Sequence, residues 1–159
     1  MARIVIVYQS QHGFTQQFAL WVAKGLHGEL VDRAFITAED FLNCELVVYG
    51  GHVLNHRVAG FRSFYRQFHT LLPQQVMLFG TGVANLSSRE AQRVRAMSIR
   101  HCEPLAPQFF YLRGRKDLTP LPLQIKLRLK LQGSGDHACD TGLAAVQPII
   151  EAVGRLGLH

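Results

Sequence analysis

Arg3-Ile-Val-Ile-Val-Tyr-Gln-Ser-Gln-His-Gly-Phe-Thr15 lies near the start of the sequence and decides the fold. Its run from Ile4 to Tyr8 is continuously apolar and mostly β-branched, which is typical of a parallel strand covered on both faces. Between positions 14 and 27, apolar residues recur at three- and four-residue spacing, which indicates an amphipathic helix. The stretch therefore predicts a strand, a short loop and a helix.

The same unit is repeated along the chain. Apolar runs predict further central strands at 46–49, 76–79 and 109–112, and a weaker run at 30–36 predicts an edge strand. Helical spacing follows the first of these runs and returns from Leu143 to Leu156, and the stretch Ser87-Ser88-Arg89-Glu90 after the second run is typical of a helix N-terminus. Alternating strands and helices form a parallel sheet with helices on both faces, and such sheets bind ligands beyond the carboxyl ends of their strands. The sequence therefore predicts an α/β fold with its site at that edge.

Composition limits the class of protein. The chain has 159 residues, of which 48 % are hydrophobic and 18 % charged, and we expect one domain over residues 1–159. No apolar run approaches the roughly 20 residues of a membrane span. A strand predicted from Arg3 leaves no room for a secretory signal, so we expect a cytoplasmic protein. The three widely spaced cysteines, Cys44, Cys102 and Cys139, predict free thiols.

The net charge of +6 favours anionic partners. Nucleic acid is one such class, but no nucleic-acid-binding motif is present, and we expect none to bind. His12, His52 and His56 all fall on the predicted ligand edge, yet their spacing matches no metal motif, so no metal site is predicted. We expect His12 to contact phosphate instead.

The loop from Ser10 to Thr15 is suited to holding a phosphate. It joins a buried strand to a helix N-terminus, where free N–H groups and the helix dipole attract anions. Its hydroxyls can donate hydrogen bonds, and Gly13 lets the backbone bend around an anion. It lacks the lysine of nucleoside triphosphatases and the second glycine of dinucleotide-binding folds. The alternative is an ordinary turn in which Ser10 or Thr15 caps the helix.

A resemblance favours the phosphate. The opening stretch resembles that of flavodoxins, in which this loop holds the phosphate of flavin mononucleotide (FMN). Later landmarks resemble the flavodoxin-domain proteins grouped with menaquinone-dependent protoporphyrinogen oxidase: Val48-Tyr-Gly-Gly51, Ala59-Gly-Phe61, Leu78-Phe-Gly-Thr-Gly82 and Phe110-Tyr-Leu-Arg-Gly114. The resemblance implies a flavodoxin-like, doubly wound, five-stranded parallel sheet of order 2-1-3-4-5 with helices on both faces.

The resemblance also implies an FMN site. The phosphate contacts fall on Ser10, Gln11, His12, Gly13, Phe14 and Thr15. The isoalloxazine ring would lie between two loops, formed by Gly51, His52, Val53, Leu54 and Asn55 and by Thr81, Gly82, Val83, Ala84 and Asn85. Neither loop contains the Trp or Tyr that usually stacks on the flavin of electron-carrier flavodoxins, which predicts a modest flavin affinity.

A basic, leucine-rich insertion at about 113–132 has two interpretations. From Leu123 to Leu131 the apolar residues alternate, which indicates a strand, whereas related proteins carry a helix here. A helix would set Leu123, Leu127 and Leu131 on one face and suit an anionic membrane surface. The alternative is a solvated basic helix packed on its own domain.

The expected function is that of an FMN-dependent oxidoreductase in which the flavin performs the chemistry and no catalytic side chain is required. The resemblance implies quinone-linked oxidation of protoporphyrinogen, with a redox partner or quinone and peripheral contact between residues 113–131 and the inner face of the membrane. The alternatives are a flavodoxin-like electron carrier without its own substrate and a flavin-free binding module. The oligomeric state is left open.

Overall fold

A computed structural model describes residues 3–9, 14–100, 102, 107–114, 128–130 and 144–157, with the backbone alone for Phe14 and 128–130. Seven strands are described within these ranges: β1 Arg3–Gln9, β2 Glu29–Asp32, β3 Cys44–Leu54, β4 Arg57–Val58, β5 Gln75–Gly82, β6 Gln108–Arg113 and β7 Arg128–Lys130. The principal helices are α1 Phe14–Leu26, α2 Phe61–Phe68, α3 Ser88–Ile99 and α4 Gln147–Arg155.

The sheet has the order β6-β5-β3-β1-β2-β7, with β4 paired to β3 outside this path. Strands β2, β1, β3, β5 and β6 are parallel to their neighbours. Counted among the parallel strands alone, they follow the predicted order 2-1-3-4-5. The predicted flavodoxin-like α/β fold is therefore confirmed.

Two hydrophobic clusters cover the two faces of the sheet. Along β1, the side chains alternate between them: Ile4, Ile6 and Tyr8 pack into one cluster, and Val5 and Val7 into the other. The first cluster includes residues of α1 and α4, and the second includes residues of α2 and α3. Because every residue of the strand interior is buried, the sequence shows a continuous apolar run instead of an alternating one.

The predicted strand at 30–36 is shorter than expected and is not at the edge. β2 ends at Asp32, whose carboxylate accepts a hydrogen bond from the N–H of Ala34 at 2.8 Å. This bond caps a 3₁₀ helix, Arg33–Phe35, which ends the strand. On its outer side, β2 pairs with antiparallel β7.

The basic insertion contains a strand over 128–130. Leu129 pairs with Leu30 and Lys130 with Glu29, so the helical interpretation is wrong for these residues. The alternation of apolar residues predicted this outcome. Residues 115–127 and 131–143, including Leu123, Leu127 and Leu131, lie outside the described part of the chain.

No helix among the described residues combines the length and the apolar character needed to cross a membrane.

Candidate functional site

The carboxyl ends of three adjacent strands form the candidate site. Gly51 of β3 lies opposite Gln9 of β1 on one side and Gly80 of β5 on the other. One residue further along, His52 is paired with Thr81. The predicted ligand edge is thus assembled from strands that are distant in sequence.

A cavity of about 420 Å³ opens at this edge. Its described lining residues are Thr15, His52, Val53, Thr81, Gly82, Val83, Ala84, Leu86 and Tyr111. Seven of these are predicted site residues, drawn from all three segments that the sequence singled out. The volume is within the range of ligand pockets, roughly 300 to 1,000 Å³.

Not every predicted site residue is found there. Ser10, Gln11, His12 and Gly13 lie outside the described residues, and Phe14 is described by its backbone alone, as the first residue of α1. Gly51 is buried, and a Cβ atom at this position would lie 2.6 Å from the carbonyl oxygen of Ala59. Leu54, Asn55 and Asn85 are exposed and are not among the residues that line the cavity.

The first predicted flavin loop, Gly51 to Asn55, is mostly strand. β3 continues to Leu54 and returns as β4 through the two-residue turn Asn55-His56. Both turn residues have positive φ, 53° and 61°, as a tight type I′ hairpin requires. The sequence Asn-His lacks the glycine that usually marks such a turn, so the hairpin was not predicted. It carries His52 and Val53 on a paired strand instead of a free loop.

Two buried hydroxyl groups join the first and third segments. Thr15 Oγ1 and Thr81 Oγ1 are 2.8 Å apart, and both side chains are at most 3 % exposed. Thr15 lies in the first turn of α1, where the helix dipole favours an anion. A hydroxyl pair uses one of its two protons internally, so the other remains available for a ligand.

The second predicted flavin loop is fastened to β6. The Tyr111 hydroxyl donates to the Ala84 carbonyl at 2.7 Å, and Arg113 Nε donates to the Val83 carbonyl at 3.1 Å. The N–H of Gly114 donates to the Gly82 carbonyl at 2.6 Å. Thr81 and Gly82 still belong to β5, so the predicted loop begins only at Val83.

Tyr111 is a candidate site residue that sequence reasoning missed. Its half-buried ring lines the cavity, and a Cβ atom on Gly82 would lie 2.6 Å from its hydroxyl oxygen. Burial raises the pKa of this phenol, an effect that nearby Arg113 partly offsets. The sequence feature that could have identified Tyr111 was its position at the carboxyl end of a predicted strand, within Phe110-Tyr-Leu-Arg-Gly114. Only the pairing of β5 with β6 places it beside Ala84.

The described lining suits binding rather than covalent catalysis. It contains hydroxyl groups, one imidazole and apolar surface, and within the described lining there is neither a carboxylate nor a thiol. Cys44 and Cys102 are free thiols whose pKa values burial raises, and neither lines this cavity. Cys139 lies outside the described residues. A reaction at this site would depend on a bound group.

Comparisons with known proteins agree with this architecture. Residues 5–126 match the family model described as the flavodoxin domain. A WrbA-like flavodoxin from Agrobacterium tumefaciens is similar over 98 % of this chain and 97 % of its own, with a TM-score of 0.62 and 10 % identity. A flavodiiron core from Synechocystis is similar over 98 % of this chain and 36 % of its own, with a TM-score of 0.57 and 12 % identity. Comparison with curated proteins gives no significant match. At these identities, the structural similarity shows the fold alone.

Proposed function

This chain belongs to the flavodoxin-domain family, whose model matches residues 5–126, and from this premise we propose that it is an FMN-binding oxidoreductase. The observation that carries the proposal is the cavity between the carboxyl ends of β3 and β5, with the Thr15 and Thr81 hydroxyl pair in its wall. Bound FMN would supply the redox chemistry, and the protein would supply binding and orientation.

The phosphate group is assigned to the start of α1. We propose Ser10, Gln11, His12, Gly13, Phe14 and Thr15 as its ligands. Support comes from Thr15, which combines a position in the first helical turn with a buried hydroxyl in a two-hydroxyl chain. Both features favour a bound dianion, because the helix N-terminus is electropositive and a hydroxyl can donate.

The isoalloxazine ring is assigned to the cavity itself. His52 and Val53 of the hairpin would cover it from one side, and Gly82, Val83 and Ala84 would meet its edge from the other. Tyr111 offers the aromatic surface that the two predicted loops lack. Gly51, Leu54, Asn55 and Asn85 would then support the site from the adjoining backbone, and Thr81 would contribute its hydroxyl to the cavity wall.

The finer proposal is a quinone-linked activity of the protoporphyrinogen oxidase type. It rests on the sequence landmarks and on the basic insertion. Gly114 and Arg128, which flank residues 115–127, both lie at the carboxyl edge of the sheet, on opposite sides of it. Contact between residues 113–131 and an anionic membrane would bring a lipid quinone to this edge. Turnover of protoporphyrinogen with a quinone separates this activity from that of an electron carrier.

Titration with FMN, FAD and riboflavin tests the flavin site. Quenching of flavin fluorescence should show the tightest binding for FMN, because the helix N-terminus at this site can bind a terminal phosphate group. Equal affinities for riboflavin and FMN would exclude the phosphate assignment. A purified protein that binds none of the three would leave the flavin-free binding module as the function.

A further inference from the structure

A second and larger cleft, of about 860 Å³, lies beside the β3–β4 hairpin. Four of its described lining residues are arginines: Arg57 on β4, Arg62 and Arg66 on α2, and Arg100 directly after α3. The remaining described lining residues are Gln9, His52, Leu54, Val58, Ala59, Gly60, Ser63, Met97 and Ser98. The cleft shares His52 with the flavin cavity, so the two sites adjoin.

Within the described lining of this cleft, no acidic side chain balances the positive charge. All four arginines are exposed, and no Asp or Glu occurs in the described lining. Across the described ranges the single ion pair joins Arg3 to Glu29, on a different part of the sheet. Arg62 and Arg66 are one helical turn apart, so their side chains lie on the same face of α2. Such an arrangement favours an anionic ligand.

Two hydrogen bonds fix the walls of the cleft. Ser98 Oγ of α3 accepts a hydrogen bond from the N–H of Val58 at 3.0 Å, which ties β4 to α3. The Tyr49 hydroxyl donates to the Ala59 carbonyl at 2.9 Å. Gly60, with a φ of 77°, directly precedes α2, and a Cβ atom there would clash with Gln9 and Tyr49. The arginines are therefore mounted on an ordered frame.

The lining combines this charge with apolar surface. Leu54, Val58, Ala59 and Met97 contribute aliphatic groups between the arginines. A guanidinium group binds carboxylates and phosphates through two parallel hydrogen bonds, whereas the aliphatic surface favours a carbon skeleton. The volume of the cleft suits a small molecule better than a macromolecule.

We propose that this cleft binds a small organic polyanion, with two or more carboxylate or phosphate groups on an apolar body. The anionic groups pair with Arg57, Arg62, Arg66 and Arg100. That this polyanion is also the substrate of the flavin rests on the proposed function, because we infer this role from His52, which lines both the cleft and the flavin cavity. The binding of the anion itself does not depend on flavin.

Calorimetric titration with aromatic carboxylates tests the proposal. Benzoate, isophthalate and trimesate carry one, two and three carboxylates on the same ring. Affinity should rise along this series and fall as sodium chloride is added. In Arg62→Gln/Arg66→Gln, the affinity for trimesate should fall by about tenfold or more, since two charge-assisted contacts are lost.

The control is Arg89→Gln/Arg93→Gln. These arginines are also exposed and four residues apart on a helix, but they do not line the cleft. The control removes the same charge and should retain the wild-type affinity for trimesate. Arg57→Gln/Arg100→Gln provides a second cleft variant on other elements, should the α2 variant fold poorly by circular dichroism.

The outcomes separate this proposal from the flavin site. Equal losses in the cleft variants and in the control would overturn it, because the effect would then be one of net charge. Parallel loss of FMN affinity in the cleft variants would also overturn it, since the arginines would then hold the flavin phosphate. A single-stranded oligonucleotide that displaces trimesate and binds more tightly would overturn it in favour of nucleic acid. If wild-type protein binds trimesate as expected but no FMN, the anion site stands and the proposed function fails.

Discussion

Thr15 and Thr81 are 66 residues apart in sequence, yet their hydroxyl oxygens are 2.8 Å apart in the interior. The contact ties the first turn of α1 to the end of β5, so two of the three segments predicted to bind flavin are coupled by one hydrogen bond. Either hydroxyl can be the donor. The other hydroxyl proton would donate a hydrogen bond to a phosphate oxygen or to a flavin atom.

The first prediction concerns the hydroxyl groups of the phosphate loop. Thr15→Ala and Ser10→Ala should each weaken FMN binding by about 1 to 3 kcal/mol, the usual cost of losing a hydrogen bond to a charged group. Fluorescence titration measures the change. Thr70→Ala, at an exposed turn position outside the cavity, is the matched control. Unchanged FMN affinity together with lower stability would show that these hydroxyls only cap the helix.

The second prediction is a double-mutant cycle without ligand. Thr81→Val should lower the free energy of unfolding by about 1 to 3 kcal/mol, because the buried Thr15 hydroxyl then lacks its partner. Thr15→Val/Thr81→Val should be less destabilised than the sum of the two single variants, since it leaves no unpaired hydroxyl. Urea unfolding of the four proteins measures this. Strict additivity would mean that the 2.8 Å contact contributes no coupling.

The third prediction concerns Tyr111. Tyr111→Phe keeps the ring in the cavity wall but removes the hydrogen bond to Ala84, so the loop after β5 should become less fixed. We expect FMN affinity to fall by about 0.5 to 1.5 kcal/mol, the net value of one neutral hydrogen bond. Tyr65→Phe, on α2 and outside the cavity lining, should leave it unchanged. Loss of the same size in both variants would argue against a local role for Tyr111.

Much of this arrangement could be predicted from local sequence, and most of the exceptions depend on contacts between elements that are distant in the chain. The apolar run Ile4 to Tyr8 indicates a buried strand, because a strand that is covered on both faces has apolar residues at every position. This pattern is visible in the sequence itself. The positions of Tyr111 and of β7 instead depend on which strands become neighbours. The hairpin at Asn55-His56 was missed because its two residues adopt positive φ without glycine. The arginine cleft was missed because its members are brought together by α2, α3 and β4.

The fourth prediction uses the buried thiol of Cys102. Burial raises the pKa of this thiol from 9.0 to about 11. The pKa of the thiol is higher in the folded state than in the unfolded state. The stabilisation that comes from burying the neutral thiol is therefore fully present below about pH 9 and is lost as the pH rises towards 11. The difference in unfolding free energy between wild type and Cys102→Ala should therefore shrink over this interval. Urea unfolding at several pH values measures it, and a constant difference would contradict the assignment.

The last prediction concerns the basic insertion and the membrane. Residues 128–130 form a strand beside β2, so a continuous amphipathic helix over the whole insertion is not the means of contact. Basic side chains near an anionic surface each contribute about 1 kcal/mol irrespective of secondary structure, and salt weakens this attraction. The wild-type protein should therefore sediment with vesicles that contain phosphatidylserine at low salt, and much less with neutral vesicles.

Substitution of Lys126, Arg128 and Lys130 by Gln should reduce this cosedimentation and quinone reduction together while leaving FMN affinity intact. The control replaces Lys24, Arg89 and Arg93 by Gln, which lowers the net charge equally at positions outside the insertion. If both triple variants lose vesicle binding to the same extent, net charge alone attracts the protein. If the wild-type protein ignores anionic vesicles at low salt, the insertion does not contact a membrane, and its basic residues are then better explained as a solvated or protein-binding surface.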